Sequence, residues 1–337
     1  MSTSEVTRQG QRGVRPGREA RPGRSARRRG RRGEQAMVPP AEFTSYYGKP
    51  VINSPVWRSR DIAGYFFLGG LAGASSLLGA GAQATGRPAL ARAAKTGALG
   101  AISMSMAGLV HDLGRPDRFL NMLRVVKVTS PMNVGSWMLA GYIPATGVAA
   151  ASALTGRVPR LGAAASVAAA LLGPAVAAYT AVLVSDTAVP AWHEGHRELP
   201  FVFTSSAAMA AGGLGLLAAP AGQNAPARNL ALLGTAAEMA ASELMTRRMG
   251  MVAEPYRAGR SGAYMRASRV LSAAGATGAL LGRRNRVIAA LSGAALLGAS
   301  AASRWGVFHA GLASAADPRY TVVPQWQRRD GGPAEPG

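Results

Sequence analysis

Nine consecutive residues hold much of the acid–base chemistry that the chain offers in one place. His111-Asp-Leu-Gly-Arg-Pro-Asp-Arg-Phe119 contains a histidine, two aspartates and two arginines, and it lies between two long apolar segments. A cluster of ionisable residues at the end of an apolar helix is typical of a polar site built at one surface of a membrane. The next stretch, Ser130–Trp137, is again rich in polar and small residues and supports the same interpretation.

The composition excludes several kinds of redox centre. The sequence has no cysteine, which excludes disulfides, thiolate chemistry and a cysteine-bound iron–sulfur cluster in this chain. None of the four histidines lies in the middle of an apolar segment, so we predict no haem. His193 and His196 have no third credible ligand, and we therefore predict no metal site. If the protein handles electrons, it must receive them from another subunit.

The apolar residues are concentrated in segments of nearly membrane-spanning length. A helix needs about 20 mostly apolar residues to cross the hydrocarbon core. Leu161–Val184 carries no charge, which leaves no face for water and argues against a soluble helical bundle. We therefore predict an all-α membrane protein, a bundle of about eight transmembrane helices. The predicted spans are Ile62–Gln83, Ala94–Val110, Asn133–Leu154, Leu161–Val184, Phe201–Ala219, Asn229–Met245, Ala267–Leu281 and Val287–Ser303.

Two tails flank the predicted transmembrane domain, which covers residues 41–325. Eleven arginines lie in Arg8–Arg32 among glycines and prolines, a composition that cannot form a core and predicts a disordered N-terminal tail over residues 1–40. Residues 326–337 are predicted to form a disordered C-terminal tail. The arginines could serve a nucleic-acid arm, but we favour a cytoplasmic extension that meets anionic lipid, with no nucleic acid as a partner.

The basic residues also predict an orientation. With both termini in the cytoplasm, the inner loops carry eleven basic residues and the outer loops nine, and the N-terminal tail adds to the inner side. We therefore predict a multi-pass protein of the cell membrane with both termini cytoplasmic.

Successive membrane spans run in alternating directions, which places the unusual polar residues at one end of the bundle. Asp61 begins the first span, His111 and Asp112 end the second, and Tyr179 lies near the end of the fourth. The starts of odd spans and the ends of even spans meet at the same membrane surface, whichever way the protein is inserted. Tyr179 lies about 9 Å inside the span's end, where its hydroxyl needs a partner, although a packing role is an alternative. Asp186, Trp192–His196 and His309 fall at the same end.

A second buried group lies apart from this cluster. Glu238 is deep in the sixth predicted span, so we expect its carboxyl to be paired or protonated. A proton-relay role and a structural pairing within the bundle both remain open at this stage.

Several stretches of the chain resemble a known family over about residues 45–325. The sequence is similar to the NrfD/PsrC family, the integral membrane subunits of polysulfide-reductase-like molybdoenzyme complexes. The matching stretches are Tyr65–Gly73, His111–Phe119, Ser130–Trp137, Tyr179–Ser185, Trp192–Pro200 and Arg304–Pro318.

The resemblance implies a fold, a cofactor and two partners. It implies eight transmembrane helices that bind a quinone, menaquinone or ubiquinone, with no haem or iron–sulfur cluster in this chain. Electrons would pass through a ferredoxin-like iron–sulfur subunit, itself fed by a molybdopterin catalytic subunit. The family's quinone pocket uses a tyrosine on helix four, which matches Tyr179, and a polar residue at the start of helix one. Some members have a histidine there, whereas the nearest residue here is Asp61.

The leading hypothesis is a quinone- or quinol-binding membrane anchor subunit of an oxidoreductase complex, not a complete enzyme by itself. Tyr179 would donate a hydrogen bond to a quinone carbonyl, and Asp61 or Asp112, with His111 beside them, would bind the head group and transfer the proton. Arg115 and Arg118 would fix the loop. One alternative is a proton-translocating channel or transporter subunit, for which Glu238 is the main support. Another is a passive membrane anchor.

Overall fold

Proline and glycine mark where the long helices begin and end. A computed structural model describes residues 50–113 and 121–331, together with residues 5–7, 10–12, 21–22 and 41–42. Many of its helices have proline in the first turn, among them Pro88, Pro131 and Pro159. Proline fits there because its fixed φ suits the helix and its missing N–H would have no partner in the helix. Gly156 ends one helix in the left-handed conformation, with φ of 69°.

Eight long helices and three short ones make up the helical part of the described chain. They are α1 (Ser59–Ala84), α2 (Pro88–Asp112), α3 (Pro131–Thr155), α4 (Pro159–Ser185), α5 (Pro190–His193), α6 (Leu199–Ala218), α7 (Ala225–Arg248), α8 (Glu254–Arg257), α9 (Gly259–Leu281), α10 (Arg286–Ala316) and α11 (Arg319–Gly331), with a 3₁₀ turn at Gly250–Ala253. The long helices are α1 to α4, α6, α7, α9 and α10, and each contains or overlaps one predicted span. The all-α membrane fold is confirmed.

Six of these long helices are long and apolar enough to cross a membrane. They are α1, α2, α3, α4, α6 and α10. By the same measure of length and composition, α7 and α9 are not among them. Ionisable residues within each helix lower its hydropathy, since α7 carries Glu238 and Glu243, and α9 carries Arg266 and Arg269 in its first half.

The last helices differ from the predicted boundaries. The eighth span was predicted to end at Ser303, but α10 continues to Ala316. This extension can pack closely because it carries small residues at Gly306, Ala310 and Gly311. Gly311 lies against the indole of Trp192. Helix α11 runs past residue 326, where the C-terminal tail was predicted to begin.

Four very short strands precede the bundle and were not predicted. β1 (Glu5–Thr7) pairs antiparallel with β2 (Gly10–Arg12), and β3 (Arg21–Pro22) pairs antiparallel with β4 (Ala41–Glu42). Apart from β1, β2 and β3, the N-terminal tail predicted over residues 1–40 lies outside the described residues, and its disorder stays a prediction.

The chain divides into two units. One is Val56–Ala313, which contains the bundle, and the other consists of Met1–Pro55 with Ser314–Gly337. Within the second unit, Arg319 forms an ion pair with Asp317, with 2.9 Å between Nε and Oδ2.

Helix α1 is central to the bundle. It packs against α2, α4 and α6, while α3 packs against α4, and α7 packs against α6. The main apolar core forms among these helices and includes Leu71, Ile102, Leu139 and Val176. Lipid tails are as apolar as leucine side chains, so close packing of small residues must supply much of the cohesion.

The closest approach between α1 and α4 occurs at a pair of glycines. A Cβ built on Gly73 would overlap the carbonyl oxygen of Gly173, and a Cβ on Gly173 would overlap that of Gly73. Two helix backbones meet here with no side chain between them. Any larger residue must push α1 and α4 apart.

Gly73→Ala is therefore expected to destabilise the bundle. Overpacking of this kind costs about 1–3 kcal/mol, so the melting temperature of the detergent-purified protein should fall. The matched control is Gly81→Ala on the same helix, where an added Cβ has open space. It should be neutral or slightly stabilising, because alanine favours a helix over glycine by about 1 kcal/mol. Equal melting temperatures for the two variants would contradict the backbone contact.

Candidate functional site

The glycine contact fixes the register of two tyrosines. Tyr65 lies eight residues before Gly73 on α1, and Tyr179 lies six residues after Gly173 on α4. Because α1 and α4 run antiparallel, both steps lead toward the same end of the bundle, by about 12 Å and about 9 Å. The side chains of Tyr65 and Tyr179 come together there on one cavity wall, with their hydroxyl groups close enough to interact.

Glycine also makes room for the ring of Tyr179. A Cβ on Gly135 would overlap that ring and its hydroxyl. Gly135 lies in the first turns of α3, within the Ser130–Trp137 stretch whose composition drew attention to it. Tyr179 can therefore take this position because α3 has no side chain at Gly135.

A cavity of about 110 Å³ opens beside this pair of tyrosines. It lies among α1, α2, α3 and α4, near the end of the bundle where α2 and α4 end. Its polar lining comes from Tyr65, Asp112, Ser136 and Tyr179, and Trp57 adds an indole ring. The remaining lining is apolar and includes Phe66, Leu109, Met122, Met132 and Leu139. Apolar walls with a few placed polar groups are typical of a small-molecule site.

Asp112 is the carboxylate on the cavity wall. Its Oδ1 accepts a hydrogen bond from the backbone N–H of Arg58, at 3.1 Å. This contact ties the end of α2 to the residue that precedes α1. The sequence placed Asp112 correctly at the end of its helix and at the same end of the bundle as Tyr179.

Asp61 and His111 form a separate pair beside the cavity. His111 Nδ1 lies 2.9 Å from Asp61 Oδ2, and neither residue belongs to the cavity lining. The Asp61 side chain is 13% exposed and that of His111 is 64% exposed, so the pair leads from the bundle toward the surface. Gly108 allows this approach, because its missing Cβ would lie 3.3 Å from the Asp61 carbonyl oxygen.

The structure thus separates the predicted site residues into two groups. Tyr179 and Asp112 line the cavity, whereas Asp61 and His111 bond to each other next to it. Most of the loop that carries Arg115, Asp117 and Arg118 lies outside the described residues, as residues 114–120. Asp186 is at the predicted end of the bundle and is exposed.

Among the lining residues with polar groups, sequence reasoning missed Tyr65, Trp57 and Ser136 as site residues. Helical spacing could have identified Tyr65, because it lies four residues after Asp61 and therefore on the same face of α1. Trp57 precedes α1 and gives no periodic signal. Its place becomes clear only from the residues that pack against it.

Trp192 supports Trp57 from behind. The two rings are stacked, with centroids 5.8 Å apart, and the Trp192 indole N–H donates to the carbonyl of Val307 at 2.8 Å. Trp192 is fully buried on α5. Aromatic and α10 contacts therefore exclude water from Trp192.

An ion pair holds the segment that carries Trp192. Arg248 donates to both carboxylate oxygens of Glu198, at 2.6 Å each, and also to the carbonyl of Glu194. Glu198 is buried just before α6. The hydrogen bond from Arg248 lowers the pKa of Glu198 below its ordinary value. Arg248 thus links the end of α7 to the turn that follows α5.

Across the bundle, the deep carboxyl predicted to be paired has a partner. The hydroxyl of Ser303 donates to Glu238 Oε1 at 3.0 Å, and both groups are buried. The neighbouring Arg304 lies 3.8 Å over the ring of Phe203 and donates to the carbonyl of Phe203. Within the described residues, no group of three or more His, Asp or Glu side chains could hold a metal ion.

The ion pair predicts a pH-dependent stability. Because the pKa of Glu198 is lowered in the folded state, its contribution is present above the unfolded pKa of about 4.3 and is lost as the pH falls through the folded value. Glu198→Gln should remove about 1–2 kcal/mol at neutral pH. The gap in melting temperature between wild type and variant should narrow as the pH falls.

Glu243→Gln is the matched control for this measurement. Glu243 pairs with Arg247 four residues later, but both side chains are at least half exposed, so this pair should add little. A gap that does not change with pH, or an equal loss in both variants, would contradict the role of Glu198.

A family comparison agrees with this architecture. The family described as "Polysulphide reductase, NrfD" matches residues 51–246, which include α1 to α4, α6 and nearly all of α7. A search of curated proteins gave no match. The matched region contains every residue that lines the cavity. The chain belongs to the NrfD family of multi-pass membrane subunits of molybdoenzyme complexes.

Proposed function

We propose that the chain binds a quinone or quinol in the cavity among α1 to α4 and exchanges electrons between it and an iron–sulfur partner subunit. The observation that carries the proposal is a single cavity that combines aromatic walls with a buried tyrosine pair and one carboxylate. A quinone head group is a flat ring with two carbonyl oxygens, and it takes up two electrons and two protons. It needs aromatic or apolar faces, hydrogen-bond donors and a proton source, all of which this cavity offers.

The tyrosine pair is suited to donate to a carbonyl oxygen. Tyr65 is almost completely buried and faces Tyr179, while Tyr179 lies on the cavity wall as well. When the Tyr65 hydroxyl donates to Tyr179, the Tyr179 hydroxyl keeps its own proton for a ligand. Tyr65 would thus orient Tyr179, and Gly135 would keep the ring in place.

Asp112 is suited to exchange the proton. Its carboxylate lies on the cavity wall, where Oδ1 accepts a hydrogen bond from the backbone of Arg58. His111, which directly precedes Asp112, pairs with Asp61 and reaches the surface. We propose that Asp112 moves the proton at the cavity and that His111 and Asp61 connect this end of the bundle with the aqueous phase.

The electron partner would bind at the same end of the bundle. The chain has no cysteine to bind an iron–sulfur cluster, so a partner would supply the electrons. We propose a ferredoxin-like iron–sulfur subunit at the end of α2 and α4, fed by a molybdopterin catalytic subunit. On this account the protein lies in the cell membrane with this end and both termini in the cytoplasm.

The channel alternative has less support from the side-chain contacts. It needs ionisable residues along the bundle, but Glu238 has Ser303 as its partner and stands beside Arg304, away from the cavity. Ion flux through the reconstituted chain without a redox partner would favour this alternative. A passive anchor would bind no quinone analogue at all.

Tyr179→Phe tests the binding site directly. Loss of one hydrogen bond should weaken the binding of a quinone analogue to the purified complex by about tenfold. The control is Tyr142→Phe, which also removes a buried hydroxyl, bonded to Ser76 at 2.7 Å, but does not touch the cavity. Unchanged affinity in Tyr179→Phe, or an equal loss in Tyr142→Phe, would contradict the proposal.

Asp112→Asn separates proton transfer from binding. Asparagine keeps an oxygen for the Arg58 N–H but cannot exchange a proton, so turnover with a quinone should fall by about 100-fold or more while analogue affinity changes little. Asp186→Asn is the control, since Asp186 is exposed and lies off the cavity wall. Asp61→Asn should have a smaller effect than Asp112→Asn. Wild-type turnover in Asp112→Asn would exclude its proposed role.

A further inference from the structure

The opposite end of the bundle contains a basic cavity that the proposed quinone chemistry does not use. Its volume is about 270 Å³, whereas roughly 10–15 Å³ suffices for one water. It lies where α1 ends, α2 begins, α3 ends and α4 begins. Its charged lining consists of Arg87, Arg92 and Lys95, and Gln83 and Ser152 add neutral polar groups.

Lys95 is the unusual member of this lining. It lies about 10 Å along α2 from the helix start, and only 7% of its surface is exposed. Among the described residues, its recorded side-chain hydrogen bond is to the neutral amide oxygen of Gln83. A buried ammonium group with no opposite charge is costly, and an ammonium has three protons to donate.

The bundle makes space for this lysine. A Cβ on Gly79 would lie 3.1 Å from Lys95 Cγ, so the glycine lets the lysine stem lie against α1. Lysines near helix ends in membranes often extend to the surface instead. Lys95 remains inside the wall of the cavity, while Arg92, one turn closer to the helix start, is exposed.

This end of the bundle has no acid to neutralise its bases. The four connections and helix ends here carry nine basic residues and neither aspartate nor glutamate: Arg87, Arg92, Lys95, Arg157, Arg160, Arg228, Arg283, Arg284 and Arg286. All the aspartates of the bundle lie at the other end. Among the described residues, no acidic side chain at this end of the bundle balances the charge on Lys95, which a bound anion would balance.

We infer that the cavity at Lys95 binds a phosphate-type oxyanion, either the head group of an anionic phospholipid or a soluble phosphate. Lys95 would donate from the inner wall, and Arg92 and Arg87 would close the site from the rim. The planar guanidinium groups of the two arginines can each donate a pair of hydrogen bonds to phosphate oxygens. The Lys95 ammonium group adds a compact positive charge. The inference is independent of the quinone site, which lies at the other end of α1 and α2.

Thermal melting of the purified full-length protein tests this inference. Inorganic phosphate is added in one arm, and in the other the protein is placed in nanodiscs of phosphatidylglycerol or of phosphatidylcholine. Either phosphate or phosphatidylglycerol should raise the melting temperature, because a ligand that binds only the folded state stabilises it. A rise with phosphatidylglycerol alone identifies a lipid, and a rise with phosphate identifies a soluble anion. No rise in either arm would overturn the inference.

Variants locate the anion. Lys95→Met should weaken the concentration-dependent stabilisation by about tenfold or more, and Arg92→Gln should weaken it as well. Arg92 is exposed, so this second variant remains informative if Lys95→Met does not fold. Arg284→Gln removes one exposed charge at the same end but outside the cavity and should respond like wild type. Wild-type affinity in Arg92→Gln and in folded Lys95→Met would exclude this cavity as the site.

Discussion

Contact between helix backbones at glycine is the constraint on which the candidate site depends. In lipid, burying apolar side chains gives helices little reason to associate, so close packing must hold them together. At Gly73 and Gly173 the backbones of α1 and α4 meet directly. That contact sets the register that joins Tyr65 to Tyr179, and Gly135 allows α3 to close over the Tyr179 ring. A shift of α1 along α4 by one turn, about 5.4 Å, would separate the two hydroxyls.

The two ends of the bundle have opposite chemistry. One end holds the aspartates, the tyrosine pair and the aromatic support of Trp57 by Trp192. The charged residues at the other end are all basic, and one of them is the buried Lys95. The first end suits proton-coupled chemistry with an electron-transfer partner, and the second suits the binding of an anion. Glu238 and Arg304 lie apart from both cavities, where Ser303 and Phe203 partner them within the bundle.

The sequence predicted the features that depend on pattern and failed on those that depend on tertiary contact. Apolar length revealed the long helices, and helix counting placed Asp61, Asp112 and Tyr179 at one end without any coordinates. Counting could not tell which carboxylate reaches the cavity, since Asp61 and Asp112 differ in the side of the helix that they occupy and in the partners that they meet. Asp61 turned out to face His111.

Other errors have the same origin. Nothing in the sequence indicated that Trp192 is buried, since histidines and a glutamate follow it, yet stacking on Trp57 and a hydrogen bond to Val307 bury it. The eighth predicted span ended at Ser303, directly before Arg304. Arg304 is instead buried over Phe203, and the helix continues beyond it.

A structure of the purified complex with a bound quinone analogue tests the central claim most directly. Our account predicts the head group among α1 to α4, with one carbonyl oxygen within about 3 Å of the Tyr179 hydroxyl and the ring between apolar walls that include Phe66 and Leu139. Asp112 should face the head group, and Asp61 should still contact His111. An analogue bound elsewhere in the complex, with the Tyr179 hydroxyl bonded only to Tyr65, would contradict it.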